Sequence, residues 1–337
     1  MSVGVDIGSK SIKIVELVKD GKGWRLKASG VVGFKGLAPE YAKDEKDLSL
    51  VAEAIKKLYK EAKIGSKDVS ISLPEHSVYT RTIKFPPLTD AEIASAVKWE
   101  AEQYIPIPLN EAILQHQIIE RKENISPPHV SVLLVAVLRE IVDKYAKVVD
   151  MAKLNLVSVE TELMSIVRSL AIDEAPVMIV DLGARSTDIA IAKNGQLYFS
   201  RSLQTAGEAF TRAIVQNLGI DETQAEEYKK TYGMNKTQLE GKIKSALEPV
   251  FRMVADEMKK AISYYQSSEQ GESPKSAILT GGSAAMPEVA SVLTRLLGLE
   301  VVVGNPFSKV FVAPEAVNAL AGYAPLYSVA VGLAMRG

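Results

Sequence analysis

Apolar runs of strand length and apolar positions at helical spacing alternate along the chain, and polar turns separate them. Residues 3–34 predict three strands, and Asp20-Gly21-Lys22-Gly23 between the second and third is a typical hairpin turn. Residues 48–62 carry apolar side chains at helical spacing and predict a helix, after which residues 69–73 predict another strand. This alternation of strands with helices indicates an α/β fold.

A second set of elements begins at residue 78 and predicts a small α+β module. Thr89 is the expected N-cap of its first helix, because Glu92 follows three residues later, as in a capping box. The loop 123–128 is polar and ends in two prolines, so we expect it to be exposed. The elements of this module are predicted at 78–85, after Thr89, at 113–120, at 130–138 and at 140–154.

The remainder of the chain returns to strands and then becomes mainly helical. Pro249 lies inside the longest predicted helix, residues 236–267, and is expected to kink or split it. The other predicted helices cover residues 161–171, 207–218 and 221–232, a stretch starting near 286–287, and 326–336. The predicted strands cover residues 177–180, 189–191, 197–200, 277–280 and 301–303.

The composition is that of a folded protein, and it removes several classes of function. Of the 337 residues, 47% are hydrophobic and 24% are charged, and 40 Lys and Arg balance 41 Asp and Glu. The net charge of −1 gives no overall attraction to nucleic acid or to an anionic bilayer. Cysteine is absent, which excludes disulfides, thiolate catalysis and cysteine-ligated metals. No secretory signal and no run of ~20 apolar residues is visible, so we expect a cytoplasmic location.

Two short phrases in the chain are nearly the same although they lie 175 positions apart: Asp6-Ile7-Gly8-Ser9-Lys10-Ser11 and Asp181-Leu182-Gly183-Ala184-Arg185-Ser186. Each stands between two predicted strands, so each is predicted to be a hairpin tip. Glycine lets the backbone approach an anion, hydroxyls and turn amides supply donors, and aspartate offers oxygens to a cation such as Mg²⁺. A single Asp-x-Gly is an ordinary turn. Its repetition predicts that the two tips clamp one polyphosphate.

A third motif, Ile278-Leu279-Thr280-Gly281-Gly282-Ser283, follows the hairpins, and a helix of small residues at 329–334 lies near the end. In this order, the motifs resemble the actin-like ATPase superfamily over nearly the whole chain. The resemblance implies an α/β fold of two duplicated, ribonuclease H-like halves with a nucleotide cleft between them. That cleft would bind ATP or ADP together with Mg²⁺.

The inserted module, residues 78–154, looks like the extra α+β subdomain that the cell-division protein FtsA shares with the PilM family of type IV pilus assembly proteins. The stretches that favour the PilM family are VDIGSKSIK at 5–13, FPPLT at 85–89, EAEQYIP at 100–106 and AVGLAMR at 330–336. The implied first half consists of residues 1–77, 155–172 and 314–337. The implied second half is 173–313, with a helical part at about 219–272.

The resemblance also assigns roles to single residues. Asp6 and Asp181 would approach Mg²⁺ through water, and Lys13 matches the lysine that the superfamily places beside the phosphates. Lys10 and Arg185 occupy matching tip positions, where they either add positive charge to the site or are solvated. The residues implied to contact the nucleotide are Asp6, Gly8, Ser9, Lys10, Ser11, Lys13, Asp181, Gly183, Ala184, Arg185, Ser186, Thr187, Gly207, Glu208, Glu226, Lys229, Gly281, Gly282 and Ser283.

Two assignments that the resemblance implies compete with simpler interpretations. Glu226 and Lys229 match segments that contact the ribose and base in relatives, but Glu226 is also placed for an exposed i,i+4 pair with Lys230. Glu160 stands where relatives orient the attacking water, but a carboxylate at a helix start is also stabilised by the helix dipole. We therefore expect at most slow ATPase activity, and the sequence leaves open whether ATP is hydrolysed.

For function, the resemblance implies an ATP-binding scaffold of type IV pilus assembly or of a related type II secretion system. Members of the PilM family bind the short cytoplasmic N-terminal segment of the inner-membrane protein PilN. Binding of such a segment would recruit this chain to the inner face of the inner membrane, and the chain would contact the membrane only through this partner. The first strand and helix of the inserted module are expected to form the groove, with Ile83, Phe85, Trp99 and Tyr104. Trp99 and Tyr104 are the better candidates for exposure.

Two other functions remain as alternatives. An FtsA-like filament protein of cell division is disfavoured because no amphipathic membrane tail follows the last helix. A small-molecule kinase of the same superfamily is disfavoured because no clear Asp general base is visible. Self-association is a further expectation from the resemblance.

Overall fold

The structure is a computed structural model that describes residues 1–21, 23–171, 174–269 and 272–336. Lys22 of the predicted hairpin turn and residues 172–173, at the expected boundary between the halves, lie outside the described residues. The same holds for residues 270–271 of the expected helical part and for Gly337.

Fourteen strands and ten helices make up the described part of the chain. The strands are β1 Ser2–Ile7, β2 Ser11–Asp20, β3 Gly23–Gly33, β4 Asp68–Leu73, β5 Val78–Phe85, β6 Ala112–Lys122, β7 His129–Leu138, β8 Asn155–Thr161, β9 Val177–Leu182, β10 Thr187–Lys193, β11 Gln196–Leu203, β12 Ser276–Thr280, β13 Glu300–Val303 and β14 Val310–Phe311. The helices are α1 Glu45–Glu61, α2 Asp90–Tyr104, α3 Arg139–Met151, α4 Glu162–Leu170, α5 Gly207–Leu218, α6 Glu222–Tyr232, α7 Lys242–Ser268, α8 Val289–Leu297, α9 Pro314–Ala321 and α10 Ser328–Ala334.

Six strands form the first sheet in the order β14-β3-β2-β1-β4-β8. β1, β2 and β3 are antiparallel neighbours, whereas β4 pairs parallel with β1 and β8 pairs parallel with β4. The sequence pattern does not predict β8, β14 or α9. β14 comes from the stretch assigned to the second half, yet it pairs with β3 of this first sheet. Both missed strands depend on partners far away in the chain, which a local pattern does not register.

The second sheet repeats this arrangement with five strands in the order β11-β10-β9-β12-β13. β9, β10 and β11 are antiparallel neighbours, and β12 and β13 continue the sheet in parallel beyond β9. Each sheet therefore starts with an antiparallel meander whose first strand borders a parallel strand. The duplication expected from the two hairpin phrases is present in the strand topology.

Helices α4 and α10 bring the two sheets together. Ile166 of α4 packs with Ile179 of β9 in one buried cluster, which also contains Leu333 of α10. A side chain on Gly332 would place its Cβ 1.9 Å from the carbonyl oxygen of Ser165, so only glycine allows α10 to lie this close to α4. The small-residue helix predicted at 326–336 is thus α10, preceded by a 3₁₀ turn at Ala324–Tyr327.

The inserted module is a three-stranded sheet in the order β5-β7-β6 with α2 packed on one face. The capping box predicted at the start of α2 is confirmed, since Thr89 and Glu92 exchange side-chain-to-backbone hydrogen bonds. The module also contacts the second half. Glu269, at the end of α7, forms ion pairs with Lys84 at 2.9 Å and with Lys122 at 3.0 Å.

The helical part corrects the prediction for residues 236–267. The chain breaks at Leu239 and Glu240, which both have positive φ, and α7 starts only at Lys242. Pro249 does not split α7, which continues to Ser268. Pro249 is the eighth residue of α7. It removes a single backbone hydrogen bond, and the buried side chains beyond it hold the helix in place.

No single helix in the described ranges is long and apolar enough to cross a membrane. One pair, Pro314–Ala321 with Ala324–Ala334, meets the length and composition criteria only jointly, and it is bent by 98°.

Candidate functional site

The two hairpin tips have the same backbone geometry. The Gly8 N–H donates to the Ser11 carbonyl at 3.1 Å, and the Gly183 N–H donates to the Ser186 carbonyl at 3.0 Å. Asp6 pairs across its hairpin with Lys13, and Asp181 pairs across its own with Asp188. The repeated phrase is therefore one local structure that occurs twice.

In the first hairpin this cross-strand pair is a buried ion pair. Lys13 Nζ lies 3.0 Å from Asp6 Oδ2, and both side chains are nearly inaccessible. Burial is the largest single influence on Lys13 and opposes its charge, but Asp6 and, farther away, Asp181 outweigh it and raise the pKa of Lys13. Asp6 Oδ1 has no hydrogen-bond partner. This orphaned oxygen is free to accept from a bound water.

In the second hairpin the lysine is replaced by an acid. Asp188 is 2% exposed, and Ser186 Oγ donates to its Oδ2 at 2.7 Å. Burial, and then the charge of Asp188, raise the pKa of Asp181 to about 7. Asp181 Oδ1 and Asp188 Oδ1 have no partner. The sequence analysis did not nominate Asp188, although the 175-residue offset that relates Asp6 to Asp181 also relates Lys13 to Asp188.

Glu162 brings a further carboxylate to the hairpins from the first turn of α4. Its pKa is raised well above the ordinary value, first by burial and then by the charges of Asp6, Asp188 and Asp181. The backbone N–H of Glu75 donates to Glu162 Oε2 at 3.2 Å. Glu162 and Glu75 were missed because nothing near them in the sequence marks a site. Only the fold brings them to the hairpins.

Glu160, the candidate for orienting water, faces another direction. Its carboxylate is 2% exposed and accepts hydrogen bonds from Arg168 and from Arg336, each at 2.8 Å. Arg168 and Arg336 therefore hold the Glu160 carboxylate beside α4 and the C-terminal residues. Glu160 ends strand β8 and Glu162 starts α4, so the chain turns between them at the N-cap Thr161 and sends their side chains to different places.

The two tip cations meet at one acid. Lys10 Nζ lies 3.0 Å from Glu208 Oε1, and Arg185 Nε lies 3.4 Å from the same oxygen. These residues occupy equivalent positions in the two hairpins, and Glu208 belongs to α5. The contact therefore joins the tips across the space between the halves.

Several predicted hydroxyl donors are already engaged within the protein. Thr187 is fully buried, and its Oγ1 donates to the Thr205 carbonyl at 2.7 Å. Ser186 donates to Asp188. The groups left for a ligand at the tips are mainly backbone amides and the cations, together with the partly exposed Ser9 and Ser11.

The third motif closes onto the second hairpin. Gly281 has φ of +84°, and a Cβ there would lie 2.0 Å from Asp181 Oδ1, so glycine is required on both grounds. Ser283 Oγ donates to the Gly183 carbonyl at 3.4 Å, and the Gly207 N–H donates to the same oxygen at 3.1 Å. The predicted segments at Gly183, Gly207 and Gly281-Gly282-Ser283 therefore meet around one hairpin tip.

Lys229 and Glu226 form a partly buried polar network beside this junction. Lys229 Nζ donates to the Gly207 carbonyl at 3.0 Å, to Thr211 Oγ1 at 2.9 Å and to Glu226. Burial lowers the pKa of Lys229. Lys230 also pairs with Glu226, at 3.1 Å. The i,i+4 pair of Glu226 with Lys230 is thus present, and a contact of Glu226 with the nucleotide stays a prediction.

The four residues nominated for a partner groove differ in exposure. Phe85 is buried beneath α2 and Ile83 is half-buried, so these two belong mainly to the core of the module. Trp99 is 74% exposed and Tyr104 is 39% exposed, as expected. The Arg81 guanidinium lies 4.0 Å from the Tyr104 ring centre, a cation–π contact at the end of α2.

The carboxylates do not form a cage for direct metal coordination. In the ranges that the structure describes, no three Asp, Glu or His side chains are placed to hold one ion together. A cation held through water fits this arrangement, because the orphaned oxygens of Asp6 and Asp181 are available as acceptors.

Comparison with known proteins gives the family. The family model described as type IV pilus assembly protein PilM matches residues 4–337. Cell division protein FtsA of Streptococcus pneumoniae is 24% identical over 343 residues, covering 88% of this chain and 74% of FtsA. Ethanolamine utilization protein EutJ of Escherichia coli is 29% identical over 148 residues, covering 44% of this chain and only 48% of EutJ.

Solved structures show the same relationship. The structure described as a PilM-PilN type IV pilus biogenesis complex has a TM-score of 0.85 at 27% identity, covering 99% of this chain and 98% of that chain. MreB5 of Spiroplasma citri bound to ADP has a TM-score of 0.55 at 15% identity, covering 98% and 94%. The fold expected from the sequence is confirmed, and the chain belongs to the PilM family of type IV pilus assembly proteins, within the actin-like ATPases.

Proposed function

We propose that the chain is a nucleotide-dependent scaffold protein of type IV pilus assembly or of a related type II secretion system. ATP or ADP with Mg²⁺ binds between the two hairpin tips, and a PilN-like inner-membrane protein binds beside the inserted module. The observation that carries the proposal is the pair of equivalent hairpins, in which Asp6 and Asp181 keep one unpartnered buried oxygen each.

The residues present fit a magnesium polyphosphate. Asp6 and Asp181 would hold the ion through water with their free oxygens, while Lys13 would face the phosphates. Bound Mg²⁺ would neutralise part of the phosphate charge. Without it, Asp181 lies among acids and its pKa is raised, which is the situation that a cation relieves.

Lys10 and Arg185 supply further positive charge at the tips. In the structure they share Glu208, and an arriving polyphosphate would compete with Glu208 for both cations. The Lys229 network and Gly281-Gly282-Ser283 form the side of the cleft that suits the adenosine. MreB5, which shares the fold, was solved with ADP.

Hydrolysis, if the protein performs it, would rely on Glu162 rather than on Glu160. Glu162 faces Asp6 and Asp181, whereas Glu160 is held by Arg168 and Arg336. Burial and the neighbouring acids raise the pKa of the Glu162 carboxyl well above its usual value, which disfavours the charged form that accepts a proton from water. We therefore propose slow turnover, suited to a protein whose nucleotide state serves as a signal.

The proposed partner is the short cytoplasmic N-terminal segment of a PilN-like protein. Support comes from the PilM-PilN complex, which matches this chain over almost its full length. Trp99 and Tyr104 are the exposed aromatic anchors of the inserted module. A cytoplasmic chain held in this way would be recruited to the inner face of the inner membrane through its partner.

Two titrations test this proposal. Calorimetry with Mg-ATP and Mg-ADP should show one site per chain, and removal of Mg²⁺ should weaken it at least tenfold. The Asp6→Ala variant should lose the Mg²⁺ dependence, while Asp20→Ala, which removes an exposed aspartate of β2, should not. Fluorescence anisotropy with a labelled PilN-type N-terminal peptide should then show binding. Failure of both nucleotide and peptide to bind the folded wild type would refute the scaffold function.

A further inference from the structure

The turn Glu75–Ser77 occupies a junction in the fold. It follows β4 of the first half and leads directly into β5, the first strand of the inserted module. This turn and the return connection at α3 are the two covalent links between the inserted module and the first half, so a movement of β5 relative to that half changes the conformation of one of them. Glu75 is buried, with 3% of its surface exposed.

Two parts of Glu75 face two different sites. Its backbone N–H donates to Glu162 Oε2 at 3.2 Å, and the pKa of that carboxyl responds to Asp6, Asp181 and Asp188 of the hairpins. Its side chain lines a cleft of about 260 Å³ between β5 and β11. Neither carboxylate oxygen of Glu75 has a hydrogen-bond partner, and the hydroxyls of Thr80 and Ser202 in the same cleft are also unpartnered.

Charged groups from several elements lie near Glu75. Asp188 approaches from β10 and Glu162 from α4, while His76, Arg81 and Arg201 line the cleft. Burial, and then Asp188, raise the pKa of Glu75 to about 7, and polar contacts with Ser200 and Thr161 offset only part of that rise. A change of charge at the hairpins therefore changes the protonation of the Glu75 carboxyl.

We propose that Glu75 is a positioning residue that links the nucleotide site to the inserted module. Its N–H orients Glu162, and its carboxyl, buried beside Asp188, sets the start of β5 according to the charge held between the hairpins. This inference rests on the proposed nucleotide function and adds to it the residue through which the partner-binding module responds. The charge of a bound Mg-nucleotide beside Asp188 then shifts the balance between the neutral and the charged form of Glu75.

Hydrogen exchange of β5 tests the link directly. Amide exchange across Val78–Phe85 is measured with and without saturating Mg-ADP in the wild type, in Glu75→Gln and in Glu120→Gln. Glu120 is the matched control, because it is an acid at the same boundary whose Oε2 accepts from Tyr198 and which does not contact the hairpin acids. The nucleotide-induced change should be at least threefold smaller in Glu75→Gln than in the wild type, and Glu120→Gln should retain it.

The number of protons exchanged with solvent on nucleotide binding is a second measurement. It would not change if Glu75 only stabilised the fold. Calorimetry of Mg-ADP binding at pH 7, in two buffers of different ionisation enthalpy, counts the protons taken up. Proton exchange on binding in the wild type and in Glu120→Gln should differ by up to about half a proton from that in Glu75→Gln, which has no titrating group at this position. If Glu75→Gln does not fold, Glu162→Gln serves instead, since it alters the acceptor of the Glu75 N–H and should also reduce the β5 response.

The outcomes separate the two proposals. Nucleotide binding with wild-type amide exchange and wild-type proton exchange in Glu75→Gln would overturn the linking role and leave the nucleotide site standing. Where Glu162→Gln replaces that variant, wild-type amide exchange of β5 would do the same. No binding of Mg-ADP to the folded wild type would overturn both.

Discussion

Lys13 and Asp188 occupy the same position in the two duplicated hairpins, each directly across from the aspartate of its phrase, and they carry opposite charges. The first hairpin therefore holds an ion pair, and the second holds two facing acids. One ligand with both signs of charge suits this asymmetry: phosphate oxygens beside Lys13 and a cation beside the acids. The two hairpins share one backbone structure, and the difference between Lys13 and Asp188 gives their cross-strand pairs different charges.

Replacement of Lys13 should separate phosphate binding from folding. In Lys13→Met, the buried Asp6 carboxyl group loses its ion-pair partner, which costs about 3 kcal/mol of stability, and the phosphate contact is removed. We expect affinity for Mg-ADP to fall at least tenfold by calorimetry. Lys19→Met on the exposed end of the same strand is the control and should bind as the wild type does. Equal affinities in the two variants would contradict the assigned role of Lys13.

The stability of the nucleotide-free protein should depend on Glu75 in a defined pH range. Its folded pKa of about 7 lies above the ordinary value of 4.5, so the folded state binds this proton more tightly than the unfolded chain does. The resulting stabilisation is complete below about pH 4.5 and is lost as the pH rises through 7. At about 1.4 kcal/mol for each unit of pKa, the loss amounts to about 3 kcal/mol.

Urea unfolding between pH 5 and pH 8, without nucleotide or Mg²⁺, measures this effect. Glu75→Gln cannot ionise, so its stability relative to the wild type should rise from pH 5 to about pH 7 and then level off. Glu120→Gln, which removes the acid that accepts from Tyr198, is the control variant. A constant difference between wild type and Glu75→Gln at all pH values would show that Glu75 does not titrate in this window.

Glu16 should be a stabilising residue away from the nucleotide site. It is fully buried on β2, and its oxygens accept from the backbone N–H groups of Gly65 and Ser66, each at 3.0 Å, and from Lys27 at 3.2 Å. These hydrogen bonds to a charged acceptor tie the loop before β4 to the sheet. We expect Glu16→Ala to lower the unfolding free energy by about 3 kcal/mol in urea titrations.

The matched control for this change is Glu53→Ala on α1. Glu53 is exposed and pairs only with Lys56, three residues along the same helix, so its loss should alter stability by less than about 0.5 kcal/mol. Nucleotide affinity should be unchanged in both variants once they are folded. A Glu16→Ala protein as stable as Glu53→Ala would mean that water replaces the buried carboxylate without cost.

Trp99 should contribute to partner binding and not to stability. Its side chain is 74% exposed, so Trp99→Ala removes little buried area, and the midpoint of thermal unfolding should stay within about 2 °C. An aromatic anchor at a peptide interface typically contributes about 2 kcal/mol or more, which predicts at least a tenfold weaker PilN-type peptide complex. Tyr323→Ala, at an exposed aromatic on another face, is the control. Unchanged peptide affinity in Trp99→Ala would remove this residue from the groove.

Local chemistry accounts for the parts of the fold that the sequence predicted well. The hairpin tips depend on glycine and on hydrogen bonds within four residues, and the capping box of α2 depends on Thr89 and Glu92 alone. The sequence pattern was less useful where pairing is remote. β8 is half polar along its length and becomes a strand only because β4 lies beside it.

By itself, the sequence determined the duplicated hairpins, the order of the three motifs and the inserted module, because each of these depends on residues that are close together in the chain. Only the tertiary structure decided which acids reach the hairpins. Glu75, Glu162 and Asp188 come from separate segments, and the turn at Thr161 sends Glu162 inward while Glu160 goes to Arg168 and Arg336. The charge and pKa of a buried group depend on what surrounds it in space, and that neighbourhood exists only once the chain has folded.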